Sequence, residues 1–237
     1  MNLSLTPLGD HALIVTLADQ IDAASSRRVQ AAAAWLANPP LPGVTEIVPA
    51  STTLTVFYSP TALVAASTPV ATLADWLATQ VRERLAALPE SSLHSLPRLV
   101  EIPVCYGGEF GPDLEAVALR VKLSAAEVIA RHTATEFFVL QLGFSPGFPY
   151  LHGLPAELSV PRRESPRTAV APGSVGIANA QSCIYPLATP GGWQLIGRTP
   201  LRLFRPTEQP PALLQPGDRV KFHAITPAEF KRREAAP

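Results

Sequence analysis

The hydrophobic positions of this chain change period near residue 90. Before that point, residues 11–17 (HALIVTL) read as a strand. Residues 22–37 are alanine-rich, with Val29, Trp35 and Leu36 making an apolar stripe at helical spacing and Asp22 placed to cap the helix. Pro39 and Pro40 stop it. Strand-like runs follow at about 44–49 and 52–58; in the second, Leu54, Val56 and Tyr58 alternate onto one face. A helix over 70–88 carries Leu73, Trp76, Leu77, Val81, Leu85 and Leu88. The order strand, helix, two strands, helix predicts a small α+β domain over residues 1–88.

Residues 89–97 (PESSLHSLP) are polar and proline-bounded, and read as a linker. A strand at 98–105 opens the second part. Helices at about 112–121 and 124–132 follow, the second announced by Ser124 and Glu127 as a capping box. From residue 135 the period shortens. Runs at 136–142, 168–171, 174–178, 182–187, 193–197, 200–204 and 218–223 alternate with Gly and Pro turns. Closely spaced short strands predict a closed barrel or sandwich over residues 98–237, with a frayed, charged tail after Pro227. The fold class expected is therefore α+β, in two domains.

Composition narrows the function. The chain has 237 residues, 47% of them hydrophobic and 16% charged, which suits packed domains and excludes a disordered or coiled-coil chain. Its 19 basic and 19 acidic residues cancel, so neither a nucleic-acid surface nor an anionic membrane is indicated as a partner. Of the basic residues three are lysines (Lys122, Lys221, Lys231) and the remaining 16 are arginines, so cationic chemistry here is arginine chemistry. Cys105 and Cys183 make neither a disulfide scaffold nor a zinc cluster, and no HxH, HExxH or CxxC occurs, so no metal site is expected. Asp10 and His11 interrupt the apolar N-terminal run, and no stretch reaches the ~18 apolar residues of a membrane helix. A cytoplasmic protein is expected.

Three segments carry candidate chemistry. In GFSPGFPYLHGL (143–154), Phe144, Phe148 and Tyr150 form a candidate apolar wall, beside glycines that let a ligand approach the backbone. In PRRESPR (161–167), Arg162 and Arg167 are forks for carboxylate or phosphate oxygens, with Glu164 available to pair with one of them. From Ser165 to Thr207 there is no Asp or Glu, yet Arg167, Arg198, Arg202 and Arg205 lie there, which predicts an uncompensated positive mouth on the barrel. In 171–200, Gln181, Ser182, Tyr185 and Thr199 offer neutral hydrogen bonds. His132, at the end of the second helix, is the candidate general base; the competing reading is a charged cap favoured by the helix dipole. Phosphate-binding motifs are missing: no GxxxxGK[ST], no GxGxxG and no GxSxG.

Taken in order, GDHALIV (9–15), VCYGGEFGPDL (104–114), GFSPGFPYLHGL (143–154), PRRESPR (161–167), GSVGIA (173–178), IYP (184–186), PGGWQLIGRTP (190–200) and PGDRVKF (216–222) resemble the family of B-type 5-oxoprolinase subunits, KipI and allophanate hydrolase subunit 1. The likeness spans nearly the whole chain. It implies an N-terminal α+β domain followed by a cyclophilin-like β-barrel. It implies a heteromeric hydrolase that opens 5-oxoproline to L-glutamate with ATP hydrolysis, in which this chain, inactive alone, acts with a C-type subunit and an A-type lactam-utilisation subunit. ATP would be shared with those partners. Placed on the matching motifs, Arg162, Arg167, Arg198, Gln181, Tyr185, Phe144 and Phe148 become candidate substrate-binding residues, and His132 the candidate catalytic one. The family also contains KipI-type inhibitors of a sensor histidine kinase and carboxyltransferase components of urea or allophanate metabolism. Departures from its pattern are the shifted proline at Pro172 and, where members often have glycine, Asn179 and Cys183. Asparagine can keep a left-handed backbone; cysteine is hard to reconcile with one.

Overall fold

The computed structural model describes residues 3–66, 72–93 and 97–235. Contacts divide the chain into two units, Met1–Leu96 and Pro97–Pro237. In the first, β1 (Ser4–Leu8), β2 (Ala12–Thr16), β3 (Val44–Pro49) and β4 (Thr53–Tyr58) form an antiparallel sheet in the order β1-β2-β4-β3. The helices are α1 (Ala23–Ala37), α2 (Pro60–Ala66) and α3 (Leu73–Ala86). Alternation decides the buried face: Leu54, Val56 and Tyr58 of β4 pack in one core with Val29, Ala32 and Leu36 of α1 and with Leu77, Val81 and Leu85 of α3. Asp22 caps α1 by accepting the Ser25 N–H at 2.7 Å. Trp35 sits at the rim rather than in the stripe, half-buried, its indole N–H donating to the Arg84 carbonyl at 2.8 Å.

Two elements go beyond the expected order. β1 is an edge strand, mostly exposed and carrying Pro7, so it shows no alternation. The seven-residue α2 is too short to show a stripe. The helix expected over 70–88 begins at Leu73 after the Thr72 cap, and Val70 and Ala71 lie outside the described residues. Within the expected linker, Glu90–Leu93 makes one turn of 3₁₀ helix; residues 94–96 lie outside the described residues.

The second unit is a closed barrel flanked by helices, the α+β class expected. Its elements are β5 (Leu99–Tyr106), α4 (Leu114–Val121), α5 (Ala125–Ala134), β6 (Glu136–Leu142), β7 (Pro149–His152), β8 (Arg167–Val170), β9 (Ser174–Ala178), β10 (Gln181–Ile184), β11 (Thr189–Gly191), β12 (Gln194–Arg198), β13 (Arg219–Ala224) and α6 (Pro227–Glu234). The strands close in the order β10-β7-β6-β13-β5-β12-β9. β13 and β5 are parallel and the other pairs antiparallel. Closure leaves no strand edge in the ring. β8 and β11 pair with each other as a separate ribbon. Ile102, Val104, Phe137, Leu151, Val175, Ile177, Ile184, Ile196, Val220 and Phe222 fill the interior, in one cluster with Val117 of α4 and Val128 of α5.

Three readings of the second part change. The run 200–204 is no strand: it makes a single bridge, Phe204 to Ala212, in a stretch where Pro200, Pro206, Pro210 and Pro211 remove ladder donors. The tail after Pro227 is the ordered helix α6, with Pro227 in its first turn and Thr226 accepting the Glu229 N–H at 3.2 Å. One buried residue, Phe230, anchors it, its ring 4.7 Å from that of Phe110. β7 emerges inside the glycine-aromatic segment.

The loop from β5 to α4 lies directly on β12. The Gly107 N–H donates to the Ile196 carbonyl at 3.1 Å and the Asp113 N–H to that of Leu195 at 2.9 Å. A side chain on Gly111 would bring its Cβ to 2.0 Å from the Ile196 oxygen. Gly111→Ala therefore has to push the loop off the strand. We expect it to cost about 3 kcal/mol, read as a lower urea midpoint; a midpoint equal to that of the parent would show that the loop yields freely.

Candidate functional site

Strand pleating gives the barrel wall two faces of different chemistry. On β10, Ser182 and Ile184 face the interior, while Cys183 and then Tyr185 face outward. Outside, Phe148, Val170, Ala178, Cys183, Tyr185, Trp193 and Leu195 form a second buried cluster, with Tyr150 packed against it. The Phe148 ring stands edge-on to Tyr185 and to Tyr150, with centroids 5.2 and 5.0 Å away. Gly191 of β11 is what lets the β8–β11 ribbon sit this close: a Cβ there would lie 2.4 Å from the Tyr185 hydroxyl oxygen. Burial pushes the Tyr185 phenol and the Cys183 thiol upward, so neither ionises readily. Phe144 ends the cluster in an unusual way. It is 62% exposed at φ +68°, a left-handed conformation that bulky residues rarely hold, with its ring 5.2 Å from Phe148. The two substituted glycine positions also resolve: Asn179 keeps the left-handed backbone at φ +52°, whereas Cys183 is an ordinary buried strand residue.

Beside this face the arginines converge on an acid that lies about fifty positions earlier in the chain. Asp113, 5% exposed, sits at the start of α4 but does not cap it. One carboxylate oxygen accepts the Leu195 N–H at 2.7 Å. The other accepts from Arg167 at 2.8 Å and Arg163 at 3.2 Å. Arg163 is fixed a second time by its backbone, whose N–H donates to the Gly192 carbonyl at 2.7 Å. Arg162, its neighbour, takes no carboxylate; its guanidinium lies 5.6 Å from the centre of the Trp193 ring.

The expected uncompensated mouth is therefore corrected. Arg167 shares Asp113 with Arg163, Arg198 lies 3.5 Å from Glu234 and over the Phe230 ring, and Arg205 pairs with Glu208 at 2.8 Å. The acids come from outside the acid-free interval, because sequence neighbourhood is not spatial neighbourhood. Glu164 pairs with neither Arg162 nor Arg167. Arg198, turned toward α6, does not join Arg162. Gln181 begins β10 beside the Asn179 turn, whereas Tyr185 follows the other end of that strand, four residues or ~13 Å away. Phe144, Phe148 and Tyr185 do come together.

His132 faces the interior. It is wholly buried, between the rings of Phe137 and Phe222. Its Nδ1 lies 2.8 Å from the Tyr106 hydroxyl and its Nε2 3.2 Å from Ser182 Oγ, which itself donates to the Gly176 carbonyl at 3.2 Å. One proton arrangement satisfies the whole chain: Tyr106 donates to Nδ1, Nε2–H donates to Ser182, and Ser182 donates to the backbone. Burial lowers the His132 pKa to about 3, so desolvation overrides the helix dipole and the ring is neutral, not a charged cap. Both nitrogens are engaged inside the core, away from the aromatic face.

Sequence reading passed over Asp113, Arg120, Arg163, Tyr106 and Trp193. No local signal links Asp113 to arginines fifty residues on. Trp193 stood within a quoted motif, and its position between two glycines and a strand was the available hint. Among the described residues no group of three His, Cys, Asp or Glu side chains is placed to hold a metal, and no helix is long and apolar enough to cross a membrane.

A two-unit chain whose barrel carries an arginine loop and an aromatic outer face matches the model of the carboxyltransferase domain, subdomain C and D, over residues 3–214; the chain belongs to that family. Its relatives are specific in name. The B-type 5-oxoprolinase subunit of Bacillus subtilis (strain 168) is 47% identical over 231 residues, covering 94% of this chain and 93% of its own. The protein of the same name from Escherichia coli O157:H7 is 44% identical over 216 residues, 91% of this chain and 93% of its own. The crystal structure of TTHA0988 shares the fold with a TM-score of 0.76 at 34% identity over 90% of this chain, which spans 40% of that protein's length.

Two measurements follow. His132 has a folded pKa depressed below its unfolded value of about 6.5. Its contribution to stability is full above pH 6.5 and falls as pH drops from there toward 3, by up to ~1.4 kcal/mol per pH unit as the unfolded chain takes up the proton. Urea melts between pH 7.5 and 5 should show this slope, and His132→Gln should flatten it. Asp113→Asn leaves two half-buried guanidinium groups without their shared charge and should cost about 3 kcal/mol; an unshifted midpoint would show that the pairs are dispensable.

Proposed function

We propose that this chain is the B-type component of an ATP-dependent 5-oxoprolinase, acting in the cytoplasm with a C-type subunit and an A-type lactam-utilisation subunit. The observation that carries this reading is identity of 47% and 44%, over more than nine-tenths of both partners' lengths, to two bacterial proteins named as B-type 5-oxoprolinase subunits. The chemistry is consistent with it. A lactam carbonyl is a poor electrophile, and transfer of a phosphoryl group from ATP to its oxygen makes the carbon open to water. Both the substrate carboxylate and the transferred phosphoryl group are oxyanions, for which arginine forks are the suited donors. ATP is a substrate of the assembly, shared with the partner subunits; this chain carries no P-loop motif.

Within this reading the residues divide by placement. Arg162 is the candidate substrate contact, since its charge is not spent on a carboxylate. Arg167 acts through Asp113, holding the loop that presents Arg162. Phe144, exposed and backed by the buried rings of Phe148 and Tyr185, is the apolar contact available to the uncharged part of a small ring. His132 keeps β9 and β10 in register with α5 rather than handling a substrate proton.

The test is reconstitution. The purified chain mixed with its C-type and A-type subunits should release glutamate and phosphate from 5-oxoproline and ATP, with no turnover when any one component is left out. Partners that are active with a related B-type component but inert with this chain would overturn the assignment.

A further inference from the structure

The second unit contains twelve arginines, and nine of them have a carboxylate within ion-pair distance. Among the described residues the three without one are Arg120, Arg162 and Arg202. Two of these three, Arg120 at the end of α4 and Arg162 in the loop before β8, line the same cleft of about 490 Å³. Arg163, Glu164, Ser165 and Gln194 complete its polar lining. An arginine without a partner is ordinary when it extends alone into water. Two converging on one concavity, in a unit that pairs nine of its twelve guanidinium groups, are not explained by solubility.

The local charge supports the same conclusion. Arg120, Arg162, Arg163 and Arg167 bring four positive charges to this corner, and Asp113 and Glu164 bring two negative ones, which leaves an excess of two. Part of the array is held before any ligand arrives. Asp113 and the Gly192 carbonyl fix Arg163, the Trp193 ring supports Arg162, and the Gln194 amide donates to the Pro161 carbonyl at 3.1 Å, which anchors the loop. Forks positioned in advance lose little rotamer freedom on binding. Beside the cleft, on the arginine that shares Asp113 with Arg163, Arg167 Nη1 is buried without a hydrogen-bond acceptor.

We propose that the Arg120–Arg162–Arg163 cleft is an oxyanion-binding site, with Arg120 as a specificity residue contributed by α4 and Asp113 as the residue that positions the loop. The ligand chemistry is a carboxylate or a phosphate group. Which of the two it takes rests on the proposed lactam chemistry; the existence of the site does not.

The experiment is equilibrium titration of the full chain, by calorimetry, with inorganic phosphate and separately with 5-oxoproline. At least one should bind with a Kd near or below about 10 mM and weaken as KCl screens the site. Arg120→Gln and Arg162→Gln should each raise that Kd roughly tenfold without lowering the melting temperature. Arg202→Gln, which removes an equally unpaired charge away from the cleft, should leave it unchanged. Tighter binding of 5-oxoproline marks a carboxylate subsite. Binding of phosphate alone keeps the site and counts against this chain as the holder of the lactam's carboxylate. Binding of neither probe, or binding indifferent to both cleft variants, overturns the proposal.

Discussion

One buried carboxylate sets the geometry of this barrel's arginine corner. Asp113 joins three segments that are far apart in the chain: the start of α4, the backbone of β12 at Leu195, and the arginine loop before β8. Removing a charge from water is costly unless the group is fully engaged, and here both oxygens are. The cost is offset by arrangement, since the same contacts that satisfy the acid fix where Arg163 and Arg167 point. Arg162 is then placed by default, between a held neighbour and the Trp193 ring. Gly111 makes the arrangement possible, because any side chain there would separate the α4 approach from β12 before Asp113 could reach the Leu195 amide.

The same strands serve two environments. Inward residues make a packed interior, where the directed chain from Tyr106 through His132 and Ser182 to the Gly176 carbonyl satisfies every polar group it contains. Outward residues make an aromatic layer that a two-stranded ribbon partly covers. Side chains fill the interior of this seven-stranded barrel, so the proposed recognition belongs to the outer wall and its loops. That division explains why the one histidine that looked catalytic is structural in placement, while the cleft is lined from outside the interior, by Arg120 of α4, the 161–165 loop and Gln194 of β12.

Much of this was legible in the chain itself. Alternation in 53–58, the capping box at Ser124 and the change of period near residue 90 report local rules, and local rules are what sequence displays. Asn179 was readable for the same reason, since its backbone preference belongs to the residue. The reading of 200–204 as a strand failed locally, on prolines present in that stretch; the other failures are non-local. β1 and α6 bury too few residues to print a pattern, yet the first is held by pairing with β2 and the second by Phe230 against Phe110. The acid-free interval 165–207 was a true feature of the chain with a false consequence, because Asp113 and Glu234 reach its arginines from elsewhere. His132 was read by its position at a helix end, where the dipole favours charge; burial, the larger effect, reverses the sign.

The arginine bias of the chain fits this picture of recognition. A lysine ammonium is a strongly hydrated point charge, and it cannot at once share a buried carboxylate, lie flat on an indole and present further donors to a ligand. A guanidinium group has five donors in one plane, so Arg163 can use some on Asp113 and keep others for the cleft, while Arg162, over the Trp193 ring, has no carboxylate to occupy its donors. The site thus depends on a residue type whose binding capacity is divisible. Arg-to-Lys exchange in the 161–167 loop would preserve every charge and still lose the arrangement, because charge alone does not orient the cleft.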